Sequence, residues 1–218
     1  MHPTQFVESL DTLVNAALAR ISSASSASEP AEGVSVARLL RIALRNEIEA
    51  AEEAAVWLVE ERDTEVKLVL MRQCGDEAKH YRLIETRLRA LGDDLEGFDP
   101  LGQGYTPMFD FLRGLGTTVE RIAAGPFARE ALAQVRNQVF IDYLVALGDA
   151  ETARLYRDEI QPDEAHHHAL GRKLLLRLAT TDEAQRLARA AAERTLALAE
   201  ELQEIARLKL GIARAPGC

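Results

Sequence analysis

Glu77-Ala78-Lys79-His80 and Glu164-Ala165-His166-His167 share one pattern, Glu-x-x-His. Residues three apart on an α-helix lie on one face, about a turn apart. A carboxylate and an imidazole placed that way reach one metal ion from a single helix, and two such helices face to face hold two ions. The pattern therefore predicts a helix at each place and a bundle that brings the two together.

The flanking sequence supplies that bundle. A helix is expected from Val36 to about Glu61, and Asp63 or Thr64 can cap the next, which ends at Leu91-Gly92. A Gly- and Pro-containing connection follows from Asp93 to Gly125, with Phe98, Tyr105, Phe109 and Phe111 and a short helix near Thr117 to Ala124. A connection this long suits a crossover between the second and third helices of a bundle. Pro126 is placed at the first position of helix three, which runs to about Leu147, and Gly148-Asp149 separates it from helix four, about Ala150 to Thr180. Pro162 falls inside helix four and is expected to kink or locally open it. Thr181-Asp182 then caps a last helix to about Ala213, whose spaced Leu and Ala read as packing on the bundle or on a second copy in a homodimer. At the other end, Phe6, Leu10, Leu13, Val14 and Leu18 predict an N-terminal helix over 1–21, followed by a Ser-rich linker over 22–33 and the bundle over 34–218. The expected fold class is all-α, since strand signals are almost absent.

Composition narrows the function. A net charge of −9 argues against nucleic-acid backbone binding as the main task. No apolar run approaches the roughly 20 residues of a membrane span, and no secretory signal is visible in Met1 to Arg20. Cys74 and Cys218 are the only cysteines, too few for a disulfide framework or a four-cysteine metal site, so a cytoplasmic setting is expected.

Within helix one the apolar stripe reads Leu40, Leu44, Ala51, Leu58, and Glu47 falls inside it, whereas Glu49, Glu52 and Glu53 are assigned to a solvated face. A carboxylate on an apolar stripe is costly unless a cation compensates it. Helix two places Glu77 and His80 on a stripe with Val66, Leu70, Gln73 and Ile84. Helix four does the same for Glu164 and His167, beside Tyr156, Ile160 and Leu174. The competing register, Asp163 with His166, shares its face with Glu159, Lys173 and Arg177, so Glu164 with His167 is preferred. Helix three offers Glu130 as its best acid, with Gln134 and Asn137 on the same face. Either Glu130 completes the set or helix three gives no ligand and the site is asymmetric or mononuclear. Glu47 precedes Glu77, and Glu130 precedes Glu164, by roughly thirty residues, which brings each acid level with its partner motif in an antiparallel pair. Carboxylate-rich ligation with two histidines suits Fe or Mn better than Zn or Cu.

From about Val36 to Thr180 the chain resembles the ferritin-like di-iron carboxylate superfamily, whose pattern is one Glu from each of two helices and Glu-x-x-His from each of the other two. Glu47, Glu77, His80, Glu130, Glu164 and His167 match it one by one. The spacings are similar to those of bacterial multicomponent monooxygenase hydroxylases, the ribonucleotide reductase small subunit and rubrerythrin. Rubredoxin-like cysteine pairs are missing, which excludes a full rubrerythrin, and the N-terminal helix, Ser-rich stretch and last helix are not core features of the superfamily. The resemblance implies a four-helix bundle holding two Fe ions, with Mn or mixed Mn/Fe as the alternative. It implies Glu77 and Glu164 as bridges, Glu47 and Glu130 as terminal ligands, and His80 and His167 as nitrogen donors. It also implies an O2-dependent oxidase or hydroxylase of a small organic substrate, served by an external electron donor. A ferroxidase or peroxide scavenger, and a metal-stabilised helical module, are the other readings. The crossover aromatics with Gln134 and Asn137 are the expected substrate pocket. Tyr156 is expected to pack in the core or to stand near the metals, and Trp57 and Tyr81 in the core or an interface.

Overall fold

The computed structural model describes residues 1–27 and 34–217. It is all-helical, with no strand among the described residues. The elements are α1 (Pro3–Ala27), α2 (Val36–Glu60), α3 (Thr64–Ala90), α4 (Pro107–Arg113) and α5 (Thr118–Ile122), then a π-helical segment (Ala123–Arg129) that leads into α6 (Glu130–Leu147). After Gly148 come α7 (Ala150–Leu155), a second π-helical segment (Tyr156–Ile160), α8 (Gln161–Leu178) and α9 (Asp182–Leu210). No helix among the described residues is long and apolar enough to cross a membrane.

The boundaries follow local chemistry. The side chains of Ser35, Asp63, Thr106, Thr117, Asp149 and Thr181 each accept a backbone N–H at the start of a helix. Gly148 and Gly211 end α6 and α9 in the left-handed conformation that glycine adopts without penalty. Helix α4 was not expected inside the crossover, although Thr106-Pro107 is a start signal, a capping hydroxyl followed by a proline at the first position.

Three expectations need correction. The Ser-rich linker does not begin at Ser22: α1 continues through Ala27, because Ile21 and Ser25 stay buried and the Ser25 carbonyl accepts from Arg214. The remainder of that linker, 28–33, lies outside the described residues, as does Cys218. Pro126 does not open helix three: α5, the π segment and α6 are continuous, and Pro126 lies inside the widened turn. The wider turn accommodates a ring that lacks the N–H donor and crowds the preceding carbonyl. Glu49 and Glu53 are not solvated. Glu49 accepts from Thr106 and Arg45, and Glu53 pairs with Arg129 on the π segment; both are buried.

Two apolar clusters flank a polar layer. On α2, Leu39, Leu40, Ala43 and Leu44 belong to one cluster and Ala54 and Trp57 to the other, with Glu47 to Glu53 between. Helix α3 runs the opposite way, from Val66 and Leu70 across Gln73, Glu77 and His80 to Ile84 and Leu88. The other two long helices repeat this, Leu132 to Phe140 across Asn137, and Ile160 to Leu174 across Glu164 and His167. All four helices thus change character at the same height. Helices α1 and α9 pack on α6, α8 and the first π segment and close one side of the bundle, so α9 covers its own chain.

Candidate metal centre

Six buried side chains meet in the polar layer. Each is at most 3% exposed, and together they form two overlapping groups: Glu47, Glu77, His80 and Glu164, and Glu77, Glu130, Glu164 and His167. In each group the ligating atoms lie within 4.8 Å of one another. Glu77 and Glu164 belong to both. The two oxygens of Glu77 divide between the halves: Oε2 is 3.2 Å from His80 Nδ1 and Oε1 is 3.6 Å from His167 Nδ1. Glu47 Oε2 closes the first half at 3.4 Å from His80 Nδ1. Glu164 Oε2 and Glu130 Oε2 close the second at 3.5 and 3.7 Å from His167 Nδ1. The structure therefore brings Glu130 to the cluster along with the other five. It leaves the competing register aside, with His166 exposed and Asp163 outside both groups.

Outer partners fix the two imidazoles. His80 Nε2 is 3.2 Å from Asp163 Oδ2, and His167 Nε2 is 3.0 Å from Asp76 Oδ2. A carboxylate in that position accepts the Nε2 proton and leaves the Nδ1 lone pair for the interior. The exchange is reciprocal: the aspartate before each Glu-x-x-His serves the histidine of the other helix. Sequence reasoning gave neither aspartate this role: Asp163 entered only as the competing ligand beside His166 and Asp76 not at all, although the signal was present as a five-residue repeat, Asp76-Glu77-x-x-His80 and Asp163-Glu164-x-x-His167. Gln73 Nε2 donates to Glu130 Oε1 at 2.5 Å and holds that carboxylate in place. Gln134 donates from its side chain to the Glu130 and Glu164 carbonyls, at 3.3 and 3.5 Å.

The histidine triplet splits into three roles. His166 is exposed, His167 faces the cluster, and His168 donates from Nδ1 to the Phe127 carbonyl at 2.7 Å while stacking on the Phe127 ring. That bond ties α8 to the π segment carrying Arg129, directly before Glu130. Gly171 permits the same approach: a β-carbon there would stand 2.6 Å from the Pro126 carbonyl carbon. The second π segment begins at Tyr156, fully buried against Phe140, with no hydrogen-bond partner for its hydroxyl among the described residues. Widened turns of this kind recur at functional sites, where they re-aim side chains. Trp57 is core and Tyr81 half-buried, while Cys74 is only partly covered. Of the crossover aromatics, Tyr105 stacks on Phe109 and donates to Glu52, and Phe98 lies under Arg41; none joins the cluster.

No family model, curated protein or solved structure matches this chain. The chemistry of the donor set must carry the reading. Glu77 Oε1, Glu130 Oε2, Glu164 Oε2 and His167 Nδ1 have no hydrogen-bond partner among the described residues. Buried lone pairs left this way are expensive. All four point into one volume, where a cation would satisfy them together.

Without metal, protons take that place. Burial works against charge on His80, but hydrogen bonds to Glu47 and Glu77 outweigh it and push the imidazole up to about 12. Against the same burial cost, the neighbouring carboxylates of Glu130 and Glu164 raise His167 to about 11. Burial, opposed by His80 and helped by the Glu77 charge, lifts Glu47 to about 7, and burial with Glu77 and Glu130 lifts Glu164 well above the usual range. Every one of these values lies above its unfolded counterpart, so the folded chain holds the protons more tightly. That stability is complete below the unfolded values. It is lost as pH rises, from 4.5 to about 7 for Glu47 and from 6.5 to about 11 for His167. Metal must expel the same protons, so its affinity rises with pH. Thermal unfolding is expected to show the metal-free chain weakening between about pH 6 and about pH 9, while stabilisation by added Mn(II) grows over that range. A metal-free chain that strengthens across the interval would contradict this charge assignment.

Proposed function

We propose that this chain is a ferritin-like di-iron carboxylate protein that uses O2 to oxidise or hydroxylate a small organic molecule. The observation that carries the reading is the sharing of Glu77 and Glu164 between two groups of converging, unsatisfied donors. Four carboxylates match the charge of two divalent cations, and the set of oxygens with two imidazoles suits Fe or Mn. Two ferrous ions held there would supply electrons for O2 reduction.

The protein's own part is positioning. Glu77 and Glu164 would bridge, Glu47 and Glu130 would bind at the ends, and Asp76 and Asp163 keep each histidine turned with its Nδ1 inward. The apolar clusters above and below exclude bulk water, which strengthens every electrostatic interaction between them. Repeated turnover needs an external electron donor.

The test is anaerobic loading with Fe(II), followed by mixing with O2 and stopped-flow absorbance. The expected result is a single, stoichiometric oxidation at the protein that stops until a reductant is supplied. Continuous oxidation of excess free Fe(II), with ferric mineral accumulating, would overturn the oxidase reading in favour of a ferroxidase.

A further inference from the structure

Beside the metal layer lies a cavity of about 220 Å³. Its walls come chiefly from α2, α4, α6, α9 and the tail after α9, and most of them are apolar, with Ile42, Met108, Val139, Leu202, Ile212 and Pro216 as the large contributors. The crossover supplies Thr106, Pro107 and Met108; neither its aromatics nor Gln134 and Asn137, the pocket expected from the sequence, line this space. None of the six clustered donors lines it either.

The polar groups of the wall are already engaged within the chain. Arg129 pairs with Glu53, and Glu49 accepts from Thr106 and Arg45. Arg136 donates to the Ala199 carbonyl, Arg214 to the Ser25 carbonyl and Gln203 to the Ile21 carbonyl. A ligand bringing a charge or a strong polar group would have to break such a bond or give up its own water without a replacement. A neutral apolar ligand does neither, and it removes apolar wall from water. The tail side of the cavity is built in advance. Ile212 is buried, Asn46 donates from Nδ2 to the Pro216 carbonyl at 3.1 Å, and Gly217 N donates to Asn137 Oδ1 at 2.8 Å. Little of the wall has to be ordered when a ligand enters, which favours binding.

We infer that this cavity is a binding site for a neutral, apolar small molecule about the size of one substituted ring. An apolar cavity of roughly 150 Å³ is enough to hold benzene, so this one admits a ring with a short substituent. The site goes beyond the oxidase reading and does not depend on it, because its walls and the metal donors share no residue.

Isothermal titration of the metal-free full chain with ethylbenzene, benzyl alcohol, benzylamine and benzoate tests the site. The four probes share a ring and differ little in size, so polarity and charge are what the series varies. Ethylbenzene is expected to bind at one site per chain, about tenfold or more tighter than each of the others. Ala206 lines the cavity from α9. Ala206→Leu should weaken ethylbenzene binding and Ala206→Phe should abolish it, with helicity at the parent level; the smaller filler keeps the test open where the larger one does not fold. No binding of ethylbenzene, equal or tighter binding of a polar or charged probe, or ethylbenzene binding untouched by the fillers in folded protein would overturn the inference. Since no metal is present in the titration, failure of the pocket and failure of the oxidase reading are separate results.

Discussion

Glu77→Ala and Glu164→Ala are each expected to abolish binding of both metal ions, while Glu47→Ala weakens one. The difference lies in placement: Glu77 and Glu164 belong to both donor groups, and Glu47 to one. Removing a shared carboxylate takes an oxygen from each half and leaves three acids to balance two cations. Stability should move in opposite directions in the two states. Without metal, burial and the Glu77 and Glu130 charges make Glu164 costly to ionise, so Glu164→Ala removes a strained group and the metal-free chain is expected to unfold at an unchanged or higher temperature. In excess metal the parent gains about 4 kcal/mol for each ion at a thousandfold excess over its dissociation constant, and the variant gains nothing. Differential scanning calorimetry with and without Mn(II) separates the two terms. A variant that loses stability equally in both states would mark Glu164 as a packing residue.

Gly171→Ala is expected to cost about 1–3 kcal/mol or more and to lower the unfolding temperature by several degrees. The added methyl would meet Pro126 and Phe127 backbone atoms at 2.6–2.8 Å, and backbone does not rotate away. Helix α8 must retreat from the π segment, and it carries His167 one turn and Glu164 two turns before the glycine. Metal occupancy should therefore fall with stability. Gly75→Ala is the control: it sits in α3 with nothing near its missing β-carbon, so the better helix former should be neutral or stabilising by up to about 1 kcal/mol. Equal melting temperatures for the two variants would mean that α8 and the π segment are not as closely packed as the structure shows.

The long helices were legible because burial is periodic along them. Leu40, Leu44 and Glu47 share a stripe, and an acid on such a stripe announces itself as a cost to be met. The histidine register was legible for the same reason, since Lys173 and Arg177 mark the face of His166. What the pattern hid were effects that need a third dimension. Glu49 and Glu53 look like a solvated run until Thr106 and Arg129 arrive from distant parts of the chain to pair with them. Pro126 reads as a helix start because proline favours that position, yet packing against Gly171 keeps the chain helical through it by widening a turn. Asp76 resembled an ordinary surface acid and Asp163 a competing ligand beside His166; their meaning lies in facing each other's histidine across two helices.

Metal content of protein purified without a polyhistidine tag, after anaerobic Fe(II) or Mn(II) loading and removal of free ions, tests the central claim most directly. The structure's two donor groups predict two ions per chain in the parent and none in Glu77→Ala. A folded parent that retains no metal would contradict the dinuclear centre and leave the six residues as a proton-bridged core.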